Sequence, residues 1–177
     1  MRLPEHIAVI PDGNRRWALS KNMAKDEGYD YGINPGLKVF KLCEKEKIKE
    51  VTFYGFTVDN TKRPSYQKEA FTKRKLFGTG GVKVNFLINY GWEWDLYALK
   101  SADCNHKHIQ PYIHSHDISR IDLVIRWGGR RRLSGLLPVQ TVYSDFFVLD
   151  NYWPDFKDED FYKALEWYNN QDVTLGG

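Results

Sequence analysis

The run Ile7-Ala-Val-Ile10 stops abruptly at Pro11-Asp12-Gly13-Asn14, and this junction constrains the chain more than any other stretch of its 177 residues. The apolar half has the branched side chains of a short buried strand. Proline, aspartate, glycine and asparagine then make a turn. In an open parallel sheet, ligands sit beyond the carboxyl ends of the strands. There the turn would deliver Asp12, Gly13, Asn14, Arg15 and Arg16. Glycine lets a ligand approach the backbone, guanidinium groups match phosphate oxygens, and a lone carboxylate beside phosphates suits Mg²⁺. These residue types describe a polyphosphate site, with a turn-forming aspartate as the plain alternative for Asp12.

A second run has the same construction. Asp122-Leu-Val-Ile-Arg126 opens with a short buried strand and breaks at Gly128-Gly129. It then supplies Arg130, Arg131, Arg132 and Ser134. A glycine turn carrying solvated arginines is common on protein surfaces, so each run alone is a weak sign. Two such units in one small chain point to a pair of anion pockets.

Strands are also expected over Val51–Phe56, Val82–Tyr90 and Leu123–Trp127. Helical spacing appears at Leu37, Phe40 and Cys43, and again at Phe161, Leu165 and Tyr168 after Asp158. A third helix is expected through Leu136, Val139, Tyr143 and Phe146, with Ser134 as its N-cap and Pro138 in its first turn. Strands alternating with helices predict an α/β fold, a mostly parallel sheet flanked by helices. The absence of linkers and repeats predicts a single domain over 1–177.

Charge and cysteine usage exclude other classes. A net charge of +3 argues against a nucleic-acid binder with a broad basic face. Cys43 and Cys104 make neither a disulfide framework nor a metal spacing, which suits a reducing, cytoplasmic setting. Neither lies in a phosphate loop, so a cysteine phosphatase lacks its nucleophile. No stretch has the length of a membrane span, and the start lacks signal-peptide character. The histidines at 106, 108, 114 and 116 lack a cysteine or acid at zinc spacing apart from Asp117, and read as a solvated or capping segment. Aromatic residues make up 15% of the chain, enough for a core and for a pocket that accepts greasy chains.

Five ordered motifs resemble the cis-prenyltransferases, whose best-known members make undecaprenyl diphosphate. They are His6 to Ala18, Thr52–Phe56 with Arg63-Pro64, Asn89-Tyr-Gly91, Asp122–Arg126 with Gly128-Gly129, and Trp153–Phe156. The resemblance implies that family's fold and a Mg²⁺-dependent transfer of a prenyl group from an allylic diphosphate to isopentenyl diphosphate. It implies catalytic roles for Asp12 and Asn14, and binding roles for Gly13, Arg16, Trp17 and Arg63; Arg15, where the family usually has glycine, adds a further positive charge for substrate binding. It places the acceptor diphosphate on Arg126, Arg132 and Ser134. Asp145 stands where the family has a metal-sharing glutamate, although its spacing from Val142 and Leu149 equally suits a helix-surface carboxylate. Isoprenyl diphosphates as substrates, a homodimer and a transient association with membrane surfaces follow from the same likeness, the last because the products are greasy.

The departures cluster around both diphosphates. Tyr29 and Ile33 replace an arginine and a histidine, after an apparent insertion around Lys21 to Glu27. Thr61 stands for a tryptophan, Trp92 and Glu93 for glycine and arginine, Arg130 for an acid, and Thr174-Leu175 for an Arg-rich tail. They favour a short-chain or atypical product. The other readings are a second allylic diphosphate or a hydroxyl compound as acceptor, or a silent partner subunit. Near 71–82 the chain is shorter than the family pattern. An omitted segment is the expected cause, and a Cα–Cα step well beyond the ~3.8 Å of a trans link would reveal it.

Overall fold

The computed structural model describes residues 1–55, 81–102 and 108–172. Among these residues five strands form one sheet: β1 (His6–Ile10), β2 (Glu50–Tyr54), β3 (Lys83–Leu87), β4 (Leu123–Arg126) and β5 (Asp145–Val148). Their order is β3-β2-β1-β4-β5, and every pairing is parallel. The α/β expectation holds. The segment near 71–82 lies almost wholly outside the described residues.

Strand burial follows position in the sheet. Every residue of the inner strands β1, β2 and β4 is buried, while β5 is half-buried along its length. Alternate side chains feed two cores, as the pleat requires. Ile7, Val9, Val51, Phe53, Leu123 and Ile125 meet helices α2 (Ile33–Lys45) and α4 (Asp158–Asn169) through Val39, Phe40, Phe161 and Leu165. On the opposite face Ala8, Ile10, Tyr54 and Val124 meet Tyr90, Ile118, Leu136 and Leu137. Helix α4 starts cleanly because Asp160 accepts the Lys157 backbone N–H at 3.0 Å and the Asn151 amide at 2.9 Å. Helices α1 (Asn14–Ser20) and α3 (Trp92–Tyr97) are short.

The helix expected after Ser134 does not form. Residues 138–143 are turns, closed by Thr141 N–H to Leu137 O and Ser144 N–H to Thr141 O, each 3.0 Å. Ser134 adopts a left-handed φ of 55° rather than capping a helix. The expected helix end is strand β5 instead, where Phe146 packs on one core and Phe147 on the other. That is a two-residue period, and the three-and-four spacing of Leu136, Val139, Tyr143 and Phe146 concealed it. Pairing of β5 satisfies the outer edge of β4.

His6, at the start of β1, is buried. Its ring meets the Thr52 hydroxyl at 2.8 Å and the Ser119 carbonyl at 3.0 Å. Burial holds its pKa below the ordinary value, against the opposing pull of Glu50. The unfolded chain therefore takes up a proton first as pH falls, so this contribution to stability is present above about pH 6.5 and is lost on acidification through the folded value. A His6→Gln variant should show a flatter fall in urea midpoint between about pH 7 and 5 than the native chain. Phe161 is fully buried between α4 and the sheet. Phe161→Ala should cost about 3–5 kcal/mol, read as a lower urea midpoint at an unchanged slope.

Candidate active site

The strand order reverses at β1. From β1 the chain adds β2 and β3 on one side, and β4 and β5 lie on the other. A crevice opens where neighbouring strands lead away in opposite directions, and here it falls beyond the carboxyl ends of β1 and β4. Register puts Ile10 beside Arg126, so the turn after β1 and the turn after β4 leave the sheet together. A backbone bond joins them, Trp127 N–H to Ile10 O at 3.2 Å, and Trp153 N–H, after β5, donates to Asp12 O at 3.0 Å.

Two glycines make this juxtaposition possible. Gly13 has φ 104°, and a Cβ there would lie 2.6 Å from Tyr152 Cδ1. Gly128 has φ 83°, and its Cβ would lie 2.6 Å from an Arg16 guanidinium nitrogen. Any L side chain would be strained at both positions and would drive the turns apart.

A single cleft of about 510 Å³ lies over the two turns. Asp12, Gly13, Asn14, Arg15 and Arg16 reach it from one side, and Arg126, Arg132 and Ser134 from the other. The two glycine–arginine turns singled out from sequence therefore line one cleft. Arg130, Lys25, Tyr29 and Tyr54 also line it. Six basic side chains face one carboxylate there, and among the described residues Arg15, Lys25, Arg130 and Arg132 have no ion-pair partner. An excess of unpaired guanidinium groups in a concave site fits polyanions such as diphosphates.

Arg126 is the inner post of the cleft, 4% exposed. Its guanidinium donates to Asp12 Oδ2 at 2.8 Å, to Ser134 Oγ at 3.0 Å and to the Arg132 carbonyl. Its buried Nε has no hydrogen-bond partner among the described residues. Asp12 also receives the Gly13 N–H at 2.6 Å and lies 3.3 Å from Arg16. Burial pushes the Asp12 carboxyl up, but Arg126, Arg16 and the Gly13 N–H outweigh it and hold the pKa below the ordinary carboxylate value. Arg16 in turn donates to Gly128 O at 2.9 Å and lies over the Tyr152 ring.

Two expected site residues stand elsewhere. Trp17 is buried with its indole N–H on Asp155 Oδ1 at 2.8 Å and its ring against Tyr31, so it braces α1 and does not line the cleft. Asp145 opens β5, three residues before the strand end that flanks Arg126, about 10 Å back along the strand. It pairs with Arg2 at 3.7 Å. One chain therefore cannot close a metal site between Asp12 and Asp145, because they lie at opposite ends of a parallel sheet. Arg63 lies outside the described residues, as do Thr61, Cys104 and His106. Of the other histidines, His114 stacks on Trp94 and His116 contacts the Ile113 carbonyl.

Mg²⁺ can be tested against this donor set. Among the described residues no three His, Cys, Asp or Glu side chains gather to hold a cation. Among the described residues Asp12 alone faces the cleft as a carboxylate. The set fits an ion held by one carboxylate together with phosphate oxygens, a usual arrangement for Mg²⁺, and no cage of protein ligands alone.

This geometry defines a strand-end, arginine-rich anion site of the kind that handles paired phosphates. The family model described as putative undecaprenyl diphosphate synthase, a prenyltransferase model, matches residues 10–77 and 65–176. The chain belongs to that prenyltransferase family. An isoprenyl transferase of Clostridium perfringens is 27% identical, covering 99% of this chain and 91% of its own. The farnesyl-diphosphate-specific ditrans,polycis-undecaprenyl-diphosphate synthase of Yersinia pseudotuberculosis is 25% identical over the same shares. The fold matches a crystal structure of lavandulyl diphosphate synthase from Lavandula x intermedia in complex with dimethylallyl diphosphate. The TM-score is 0.83, with 20% identity over 99% of each chain. The alignments to the curated relatives span 230 positions against 177 residues here, so those relatives carry an internal stretch with no counterpart in this chain.

Removing the inner post should cost more than removing a neighbour outside the cleft. Arg126→Met is expected to weaken inorganic pyrophosphate binding by about 10- to 100-fold in calorimetry, the effect of one charged hydrogen bond. Arg131→Met, in the same run but off the cleft, should stay within about twofold.

Proposed function

We propose that the chain transfers an isoprenyl group from an allylic diphosphate to isopentenyl diphosphate, with a short-chain or atypical product. The observation that carries this is the convergence of both turns on one cleft, where six cations meet one ionised carboxylate. Two diphosphates cannot share so small a volume unless their charge is matched, and the unpaired arginines provide that match.

In this reading the first turn holds the donor. Gly13, Asn14 and Arg16 surround its diphosphate, and Arg15 and Lys25 add charge where Tyr29 stands in the family's arginine position. Arg126, Arg132 and Ser134 hold the acceptor diphosphate. The allylic carbon–oxygen bond breaks and diphosphate leaves with the electron pair. The acceptor's double bond supplies the electrons for the new carbon–carbon bond, and a proton is then lost. Guanidinium groups already oriented by Gly128 O, Ser134 and Arg132 stabilise the departing charge without reorganising. Mg²⁺ belongs to the same proposal: Asp12 would hold it together with phosphate oxygens, and it would supply positive charge beside the leaving group. A homodimer, cytoplasmic residence and passing contact with membrane surfaces complete it. Among the described residues no helix is long and apolar enough to cross a membrane.

The short or atypical product rests on Tyr29. A phenol in the cleft wall replaces a charged donor contact by a neutral one, which weakens the grip on a donor diphosphate that must be held through many additions. Radiolabelled dimethylallyl or geranyl diphosphate, incubated with and without isopentenyl diphosphate, tests both statements. Products with one to a few added units, dependent on the acceptor, are expected, and Asp12→Ala should abolish them. Products with many added units would overturn the short-chain statement, and activity undiminished in Asp12→Ala would overturn the mechanism. Turnover without isopentenyl diphosphate would favour a second allylic diphosphate as acceptor. No turnover in the native chain would mark a silent partner subunit.

A further inference from the structure

The turn that presents Ser134 is bent against its own preferences. Ser134 has φ 55° and Leu137 φ 35°, with Gly135 at 77° between them. Non-glycine residues hold such angles only where surrounding contacts over-determine them. Arg126 supplies one set of contacts, to Ser134 Oγ and the Arg132 carbonyl. The other comes from Tyr54, the last residue of β2, whose hydroxyl donates to the Ser134 carbonyl at 2.7 Å.

Tyr54 is itself firmly oriented. It is 6% exposed at the cleft wall. Its ring meets Tyr90 edge-on, with centroids 6.2 Å apart. The Tyr90 hydroxyl donates to Asp95 Oδ2 at 2.8 Å, and fully buried Asp95 also accepts the Ser115 N–H at 2.8 Å and hydroxyl at 2.6 Å. Gln140 closes the network on Ser115 at 2.8 Å. Three donors satisfy the buried Asp95 carboxylate, and a buried network so held is rigid, although Gln140 Oε1 has no hydrogen-bond partner among the described residues. It fixes Tyr90, Tyr90 fixes the Tyr54 ring, and the Tyr54 hydroxyl fixes the carbonyl of the strained residue.

We propose that Tyr54 is a positioning residue for the acceptor: through Ser134 it sets the turn on which the isopentenyl diphosphate is held. The inference rests on the reading of the cleft given above. Tyr54 itself needs no contact with the diphosphate. Its effect is on where the Ser134 hydroxyl and the Arg132 guanidinium stand relative to Arg126.

Calorimetry with isopentenyl diphosphate, and separately with a non-reacting thiolodiphosphate of the donor, separates the possibilities. Tyr54→Phe keeps the ring and its packing and removes one hydroxyl, so the fold should survive, as circular dichroism will show. Acceptor affinity should fall about three- to tenfold, the loss of one neutral hydrogen bond, with donor affinity changed less than about twofold. In steady state the acceptor KM should rise in step while the donor KM does not. Ser134→Gly, which relaxes the left-handed strain and removes the hydroxyl, should already carry most of the acceptor loss, and adding Tyr54→Phe to it should cost less than about twofold more. Equal weakening of both ligands, or additive losses in the double variant, would overturn the proposal. If the native chain binds isopentenyl diphosphate and Tyr54→Phe binds it equally well, this inference alone falls. If the native chain does not bind it, the reading of the cleft falls as well.

Discussion

The contact between Arg126 and Asp12 is the joint on which the site depends. A guanidinium buried at the end of β4 is tolerable only if its charge is matched, and Asp12, across the sheet-end crevice, is the matching group. The same pair sets the protonation of Asp12, because the arginine charge overrides the burial that would otherwise favour the neutral acid. It also joins two turns separated by over a hundred residues of sequence. Asp12 pairs with both Arg126 and Arg16, and the other cleft cations, Arg15, Lys25, Arg130 and Arg132, have no ion-pair partner among the described residues.

The scaffold explains why this joint can exist. A parallel sheet whose order reverses at its central strand sends neighbouring turns apart, and the space between them is the cleft. Glycines at 13 and 128 let the backbone pass close to Tyr152 and Arg16, where any side chain would clash. Trp17, Trp153 and Tyr152 brace the turns from behind, the first two through indole hydrogen bonds to Asp155 and Gly32, the third beneath Gly13 and Arg16. The charge-bearing groups are thus held by aromatic packing that never enters the cleft.

Much of this was legible in the sequence, for identifiable reasons. The inner strands could be read because burial on both faces leaves continuous runs such as Ile7–Ile10 and Leu123–Ile125, and helices α2 and α4 because each buries a single stripe. The two turns could be read because glycine and arginine chemistry is local. Strand β5 could not: Phe146 and Phe147 feed different cores, and Leu136, Val139 and Tyr143 simulate a helix that does not form. Asp145 was misplaced for the same reason. Trp17 sits within a binding motif, and only three dimensions show that its indole turns away. Tyr54, Lys25 and the Arg126–Asp12 pair were hidden differently. Tyr54 looked like one more strand residue, Lys25 lay in an insertion, and no local signal joins positions 12 and 126.

The central placement of β1 has a consequence for how the molecule comes into being. β1 is the first strand made, yet one of its two neighbours, β4, is separated from it by more than a hundred residues. Closing so long a loop is slow compared with forming the β1–β2 side of the sheet. A growing polypeptide that has not yet emerged past Arg126 can own a first turn and its arginines, but it has no crevice, no counter-charge for Asp12 and no place for a ligand. Phosphate-binding capacity would therefore be acquired late in assembly and all at once, when the fourth strand docks.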